Sequence, residues 1–345
     1  MIDVSFVVCT RDRGSRITDT LKSIERAIEY CPDTACEIVI VNNASTDDTD
    51  KHLIIWSKKT RVNHHIVFEA RPGVCRARNA GAHKSTGRNI VFTDDDCILA
   101  RDYCRNLLGA HELPNDSAYL RGGRVELGDE NDLPITVKTS KDASRLKRGE
   151  FPGGFIHGCN MVLTRRAYES LGGFDERFGP GTSVGAAEDT EYITRARLMG
   201  FPILYDPSLL VYHLHGRRAI EDARRLCVSY LVGDGAVTAK YLFQDHTVRR
   251  YFAGRVCRAV LEVCISAIMM RRASSATSKV GYWSEFGISQ CLALQATLRG
   301  IALFAREGRS NQSQSGNRPC VAHTQTDGLA SVDVIDFHKT HPSGR

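Results

Sequence analysis

Along the first hundred residues, short apolar runs alternate with longer stretches whose apolar positions recur every three or four residues. Runs at 4–9, 37–41, 63–68 and 90–93 have strand length, whereas 15–30, 46–57 and 74–85 carry the helical period. The order β-α-β-α-β-α-β predicts an α/β fold with a mostly parallel sheet and helices on both faces. In such a sheet ligands gather where the strands end.

Three of the predicted strand ends are polar: Thr10-Arg11-Asp12-Arg13, Asn42-Asn43-Ala44-Ser45 and Asp94-Asp95-Asp96. Adjacent carboxylates repel, and a strand end tolerates three of them when a cation neutralises the charge. Oxygen-rich sites of this kind suit Mg²⁺ or Mn²⁺, often shared with substrate phosphates. Taken alone, the run fits a solvated acidic turn equally well. Ser45-Thr46-Asp47-Asp48 likewise reads as a helix cap with acids in the first turn.

Beyond residue 100 the pattern loosens. Gly122-Gly123 and Gly153-Gly154, with Gly158 after them, could let backbone approach a ligand closely. Glu188-Asp189 follows a glycine-bearing loop, 178–187, and precedes a helix expected over 190–199. Amphipathic helices are expected over 217–230, 238–243 and 248–270. In the last, Phe252, Val256, Ala259, Val260, Val263, Ala267 and Met270 form an apolar stripe, with Arg255, Arg258 and Glu262 opposite.

Charge separates the two parts. Residues 217–309 hold 15 Lys/Arg against 7 Asp/Glu, a balance of +8 within a chain of net +6, so the remainder is near −2. A neutral-to-acidic front and a basic back suggest chemistry first and contact with an anionic surface second. An anionic membrane face is the expected surface. Nucleic acid is not expected, because no binding motif or aromatic interleaving accompanies the charge. The longest uncharged run, 286–298, falls short of the roughly 18 residues of a membrane span. No signal peptide is visible, and twelve cysteines without a CxxC pair read as buried free thiols. The expected location is cytoplasmic, peripheral on the inner membrane face. Residues 309–345, rich in Ser, Gln, Asn and Gly, read as a disordered tail.

Residues 4–216 resemble the family 2 glycosyltransferases of the GT-A fold. The resemblance is carried by Val7-Val8-Cys9-Thr10-Arg11-Asp12-Arg13, Ile38-Val39-Ile40-Val41-Asn42-Asn43-Ala44-Ser45-Thr46-Asp47, Arg78-Asn79-Ala80-Gly81, Phe92-Thr93-Asp94-Asp95-Asp96, Gly172-Gly173-Phe174-Asp175, Glu188-Asp189 and Tyr205-Asp206-Pro207 with Tyr212-His213. Each is weak alone, and together in this order they are specific. The resemblance implies a GT-A domain over 1–216, with a Rossmann-like nucleotide-sugar half (1–100) and an acceptor and catalytic half (101–216), then a helical region (217–308).

It also implies roles. Thr10, Arg11, Arg13, Asn42, Asn43, Arg71, Asn79, Asp94 and Asp95 would contact the nucleotide-sugar. Asp94 with Asp96, or Asp94 with Asp95, would supply the metal-binding acid motif, and His213 would complete the site for Mn²⁺ or Mg²⁺. Gly158, Asn160 and Glu188 would face acceptor or sugar, with Asp189 as the base of an inverting transfer supported by Glu188. Helix capping is the alternative use of the Glu188-Asp189 pair.

The family usually has Asp where this chain has Asn42, so the base stays open: a UDP-sugar first, with dTDP- or GDP-sugar as alternatives. Ala44 replaces a common glycine. The acceptor would be a saccharide or lipid-linked hydroxyl, in surface polysaccharide or glycolipid synthesis. A nucleotidyltransferase is disfavoured because Thr10-Arg11-Asp12-Arg13-Gly14 makes a poor phosphate loop. A phosphohydrolase is disfavoured by the position of Asp94 on the fourth strand. A catalytically silent binding module is disfavoured by the intact acids and histidine.

Overall fold

A computed structural model describes residues 1–109, 117–272 and 288–315. All seven expected elements of the front form: β1 (Val4–Thr10), α1 (Ile17–Glu29), β2 (Cys36–Asn42), α2 (Thr49–Ser57), β3 (Asn63–Phe68), α3 (Val74–Lys84) and β4 (Asn89–Asp94). Helix α2 starts three residues later than its pattern suggests. The segment before it is held as a loop, with the Thr46 N–H donating to Asp12 Oδ1 at 2.7 Å. Ala44 in that loop has φ +54, a conformation that favours glycine and explains why glycine is common there.

Among the described residues nine strands form one sheet, eight of them in the order β3-β2-β1-β4-β8-β6-β9-β5. The added strands are β5 (Cys97–Leu99), β6 (Leu120–Leu127), β8 (Asn160–Thr164) and β9 (Ile203–His213), with β7 (Ser144–Arg145) pairing β9. Strands β1 to β4 are parallel, but β8 lies antiparallel to both β4 and β6. The sheet is therefore mixed, and "mostly parallel" describes its first half only. The parallel half is buried on both faces, which is why its strands read as unbroken apolar runs. Phe6 and Val8 pack with Leu21, Ile24 and Tyr103 on one face; Val7 packs with Ala77, Phe92 and Tyr192 on the other. Each such large side chain contributes about 1.5–3 kcal/mol on burial.

The remaining helices are α4 (Tyr103–Leu108), α5 (Arg165–Leu171), α6 (Glu188–Leu198), α7 (Ile220–Tyr241), α8 (His246–Arg272) and α9 (Gln290–Ser315). Two expectations about the back need correction. Helix α7 runs through the break expected between 230 and 238. Gly233 and Gly235 there are contact points rather than breakers: a Cβ on Gly235 would strike the Thr297 carbonyl, and one on Gly300 would strike that of Val232. Arg255 is also turned inward rather than onto a polar outer face. It is 2% exposed and donates to Asp234 at 3.3 Å, while Val260 and Val263 of the expected apolar stripe are 56% exposed. A buried guanidinium follows its counter-charge, and Asp234 lies on α7. Ala267 and Met270 have side chains outside the described residues.

Helix α9 continues to Ser315, past the expected start of the tail, and 316–345 lie outside the described residues. Among the described residues no helix is long and apolar enough to cross a membrane. Cys257 and Cys264 are exposed, unlike the buried thiols expected throughout.

Candidate active site

Strand β4 delivers Asp94 at its end, and the two following acids turn into the space between the ends of β1 and β9. The loop after β1 places Arg13 across them, with Nε 3.0 Å from Asp95 Oδ1 and Nη2 3.1 Å from Asp96 Oδ2. His213, the last residue of β9, brings Nε2 to 3.3 Å from Asp96 Oδ1, while its Nδ1 pairs with Thr136 Oγ1 at 3.1 Å.

Burial, together with the neighbouring Asp96 and Asp94 charges, pushes the Asp95 carboxyl up to about 7 against the pull of Arg13. Burial also acts on the Asp96–His213 pair, but the hydrogen bond between them outweighs it. Asp96 is held below its ordinary value and His213 is pulled up to about 9.

This donor set fits a divalent ion. A carboxylate oxygen of Asp96, the Cys97 sulfur and a ring nitrogen of His213 all lie within 4.8 Å of one another. Asp94 is not in that group; its Oδ1 faces Arg78 at 3.3 Å. His215 does not join the metal group either: its ring sits edge-on to His213, and its Nδ1 lies 3.7 Å from Asp132.

Several of the expected contact residues are already engaged within the protein. Asn43 donates to the carbonyls of Glu69 and Arg71 at 3.1 and 2.8 Å and accepts from the Gly73 N–H at 2.8 Å. Its amide thus clasps the loop that carries Arg71. Asn42 accepts from the Ser45 N–H at 3.0 Å and donates to Asp50, so its oxygen already holds one partner. Asn79 ties α3 to the Gly172-Gly173-Phe174 turn through both backbone groups of Phe174, at 2.9 and 2.7 Å. Asn160 is fully buried, accepting from Tyr103 Oη at 2.7 Å and donating to the Leu209 carbonyl at 2.8 Å. Thr10 is buried. Arg11 and Arg71 stay open to solvent beside Asp12 and Glu69. Gly122 and Gly123 serve the protein's own packing, with Ile156 and Leu209 against them.

Glu188 and Asp189 lie in the first turn of α6, after Ala187 in a left-handed conformation (φ +67). Asp189 accepts from the Thr190 N–H at 2.6 Å through Oδ1 and from the Gly158 N–H at 3.2 Å through Oδ2. Burial raises both the Glu188 and Asp189 carboxyls, and their proximity raises Glu188 further. Ala187 packs on Gly233 of α7, so the helical back supports the Glu188-Asp189 turn directly.

The residue that joins the two ends carried no assigned role in the sequence reading. Arg78 of α3 donates through Nη2 to Asp94 at 3.3 Å and through Nη1 to Glu188 at 3.0 Å, with its side chain only 4% exposed. Burial opposes its charge, but Glu188 and Asp94 hold it firmly protonated. The Gly158 Cα lies against it, and a Cβ there would come within 2.8 Å of Nη2. A signal was present: Cys75, Arg78 and Ala82 share the buried stripe of α3, and a cation on that stripe requires a carboxylate.

Comparison with known proteins agrees with this geometry. Residues 5–172 match the family model described as glycosyl transferase family 2. The chain is 26% identical over 216 residues to the succinoglycan biosynthesis protein ExoM of Rhizobium meliloti, covering 61% of this chain and 66% of the relative. It is 25% identical over 232 residues to a validoxylamine A glucosyltransferase of Streptomyces hygroscopicus subsp. jinggangensis, covering 58% and 52%. It thus spans about half to two thirds of the length of these relatives. Among solved structures, a mannosyltransferase from Pyrobaculum calidifontis in complex with GDP-Man and Mn²⁺ superposes with a TM-score of 0.56 at 19% identity, covering 86% of each chain. The fold is GT-A, and over residues 5–172 the chain is similar to the family 2 glycosyltransferases.

Proposed function

We propose that this chain is a metal-dependent inverting transferase, moving a sugar from a nucleotide-sugar to a hydroxyl of a saccharide or lipid-linked acceptor in surface polysaccharide or glycolipid synthesis. One observation carries the reading: Arg78 spans Asp94 on the donor side and Glu188 on the acceptor side, so the acid cluster and the candidate base form one site. The GDP-Man and Mn²⁺ bound by the structural relative, and the polysaccharide role in the name of one sequence relative, support it.

In this mechanism Asp189 takes the proton of the acceptor hydroxyl as its oxygen bonds to the anomeric carbon and the bond to the diphosphate breaks. Its buried, raised carboxyl is a stronger base than an exposed aspartate. Glu188, fixed by Arg78, orients the acceptor. Asp96 and His213 would hold a divalent ion, which when bound supplies charge to stabilise the leaving diphosphate. Arg11, Arg13 and Arg71 offer guanidinium groups to phosphate. Because Asn42 carries no charge where the family usually has Asp, the base stays open, with a UDP-sugar first and dTDP- or GDP-sugars as alternatives. A peripheral position on an anionic membrane face is the companion proposal. It is supported by Arg249, Arg250 and Arg258, all exposed on α8.

The test is hydrolysis and transfer across a panel of nucleotide-sugars, with Mn²⁺, with Mg²⁺ and with chelator. One donor should turn over only with metal and give a product of inverted anomeric configuration by NMR. Full turnover in excess EDTA, or retention, overturns the reading.

A further inference from the structure

The floor of the acid cluster contains sulfur. Cys97 and His213 stand opposite one another in the antiparallel β5–β9 pair, so their side chains leave the same face of the sheet. The Cys97 sulfur, an Asp96 carboxylate oxygen and a His213 ring nitrogen lie within 4.8 Å of one another. A second buried thiol, Cys159, lies in the segment that enters β8. Carboxylate, imidazole and thiol together are a donor set for Zn²⁺ and its thiophilic neighbours, not only for Mn²⁺ or Mg²⁺.

We propose that Cys97 is a sulfur ligand of this metal site, recruited by thiophilic divalent ions such as Co²⁺, Zn²⁺ and Cd²⁺ alongside Asp96 and His213. The inference rests on the reading of Asp96 and His213 as metal ligands. Ligand atoms about 2.0–2.3 Å from one ion stand roughly 3–4 Å apart. Asp96 Oδ1 and His213 Nε2, at 3.3 Å, already have that spacing. The sulfur lies within 4.8 Å of a donor atom of each. On binding, the Cys97 thiol releases its proton to solvent and the thiolate takes the ion. Hard ions that favour oxygen leave the thiol protonated and use the carboxylate and imidazole alone. A tetrahedral ion closed by sulfur also loses positions open to a diphosphate, so Zn²⁺ and Cd²⁺ are expected to inhibit where Mn²⁺ activates.

The experiment titrates the reduced full-length protein with Co²⁺ alone and follows near-ultraviolet thiolate-to-metal charge transfer. Bound Mn²⁺ and its displacement by Co²⁺ are followed by electron paramagnetic resonance. A saturable thiolate band should appear as Co²⁺ displaces Mn²⁺. It should vanish in Cys97→Ser and in His213→Ala, which leaves the sulfur in place, and persist in the Cys257→Ser and Cys264→Ser controls. Displacement of Mn²⁺ by Co²⁺ without a thiolate band, or a band unchanged in Cys97→Ser, overturns the inference while leaving the metal reading intact. Failure of both ions to bind overturns the two together.

Discussion

In the parallel front, residues 4–94, each buried position follows from the strand or helix period, because every element lays one face on a sheet that is covered on both sides. In the helical back, residues 220–315, the same periods mislead: an arginine sits inside, valines sit outside, and glycines stand mid-helix. The difference lies in what each element packs against. A sheet face accepts any apolar stripe of suitable width. A close helix crossing is decided by where two backbones can touch and by where a buried charge finds its partner.

The largest effect expected at the seam between these regions is on chemistry. Asp189→Asn keeps the volume in the α6 turn but removes the base, so transfer should fall about 10²–10⁴-fold with donor affinity preserved. Steady-state kinetics beside donor binding would check this. Because burial raises the Asp189 carboxyl, its base form accumulates only above the ordinary carboxylate range. The wild-type rate should therefore climb with pH through that raised value, and the residual rate of the variant should not. Loss of donor binding in the variant would make Asp189 structural.

Next comes the buried cation of the front. Arg78→Met leaves Glu188 without its counter-charge in a buried setting, where removing one partner costs about 3–5 kcal/mol. The Glu188 arm carries most of this, since Asp94 is 37% exposed at its side chain. Urea unfolding should show the loss. Arg78→Lys should recover only part of it, because one ammonium cannot span both carboxylates. A variant as stable as wild type would show that the bridge contributes nothing.

The smallest effects sharpen the contrast inside the back itself. Alanine normally improves a helical glycine by up to about 1 kcal/mol. Gly254→Ala on α8 should do so, because its Cβ would meet only the flexible end of Arg258 at 3.4 Å. Gly235→Ala should instead cost about 1–3 kcal/mol, since the new methyl collides with the Thr297 backbone on α9. Thermal melts of the two variants should move in opposite directions. Equal shifts would mean that α7 and α9 do not touch closely.

The sequence alone determined the element order of the front, the strand ends as the place of chemistry, and Asp189, Asp96 and His213 as candidates. Short-range periodicity and residue chemistry suffice for the element order and the acidic strand end, while Asp189 and His213 became candidates through the resemblance of the ordered motifs to a known family. Only the tertiary structure decided how polar atoms are spent. Asn43, Asn79 and Asn160 look like ligand contacts in sequence, yet each engages both ends of its amide within the protein, Asn43 and Asn79 with backbone and Asn160 with the Tyr103 hydroxyl and backbone carbonyls, 26 to 95 residues away. Arg78 looks like one more helix residue, yet it joins Asp94, 16 residues on, to Glu188, 110 residues on. The reversal of β8, the register that sets Cys97 beside His213, and the inward turn of Arg255 depend likewise on partners remote in the chain. A buried hydrogen bond or ion pair is fixed by where its partner stands in space, and local sequence does not carry that distance.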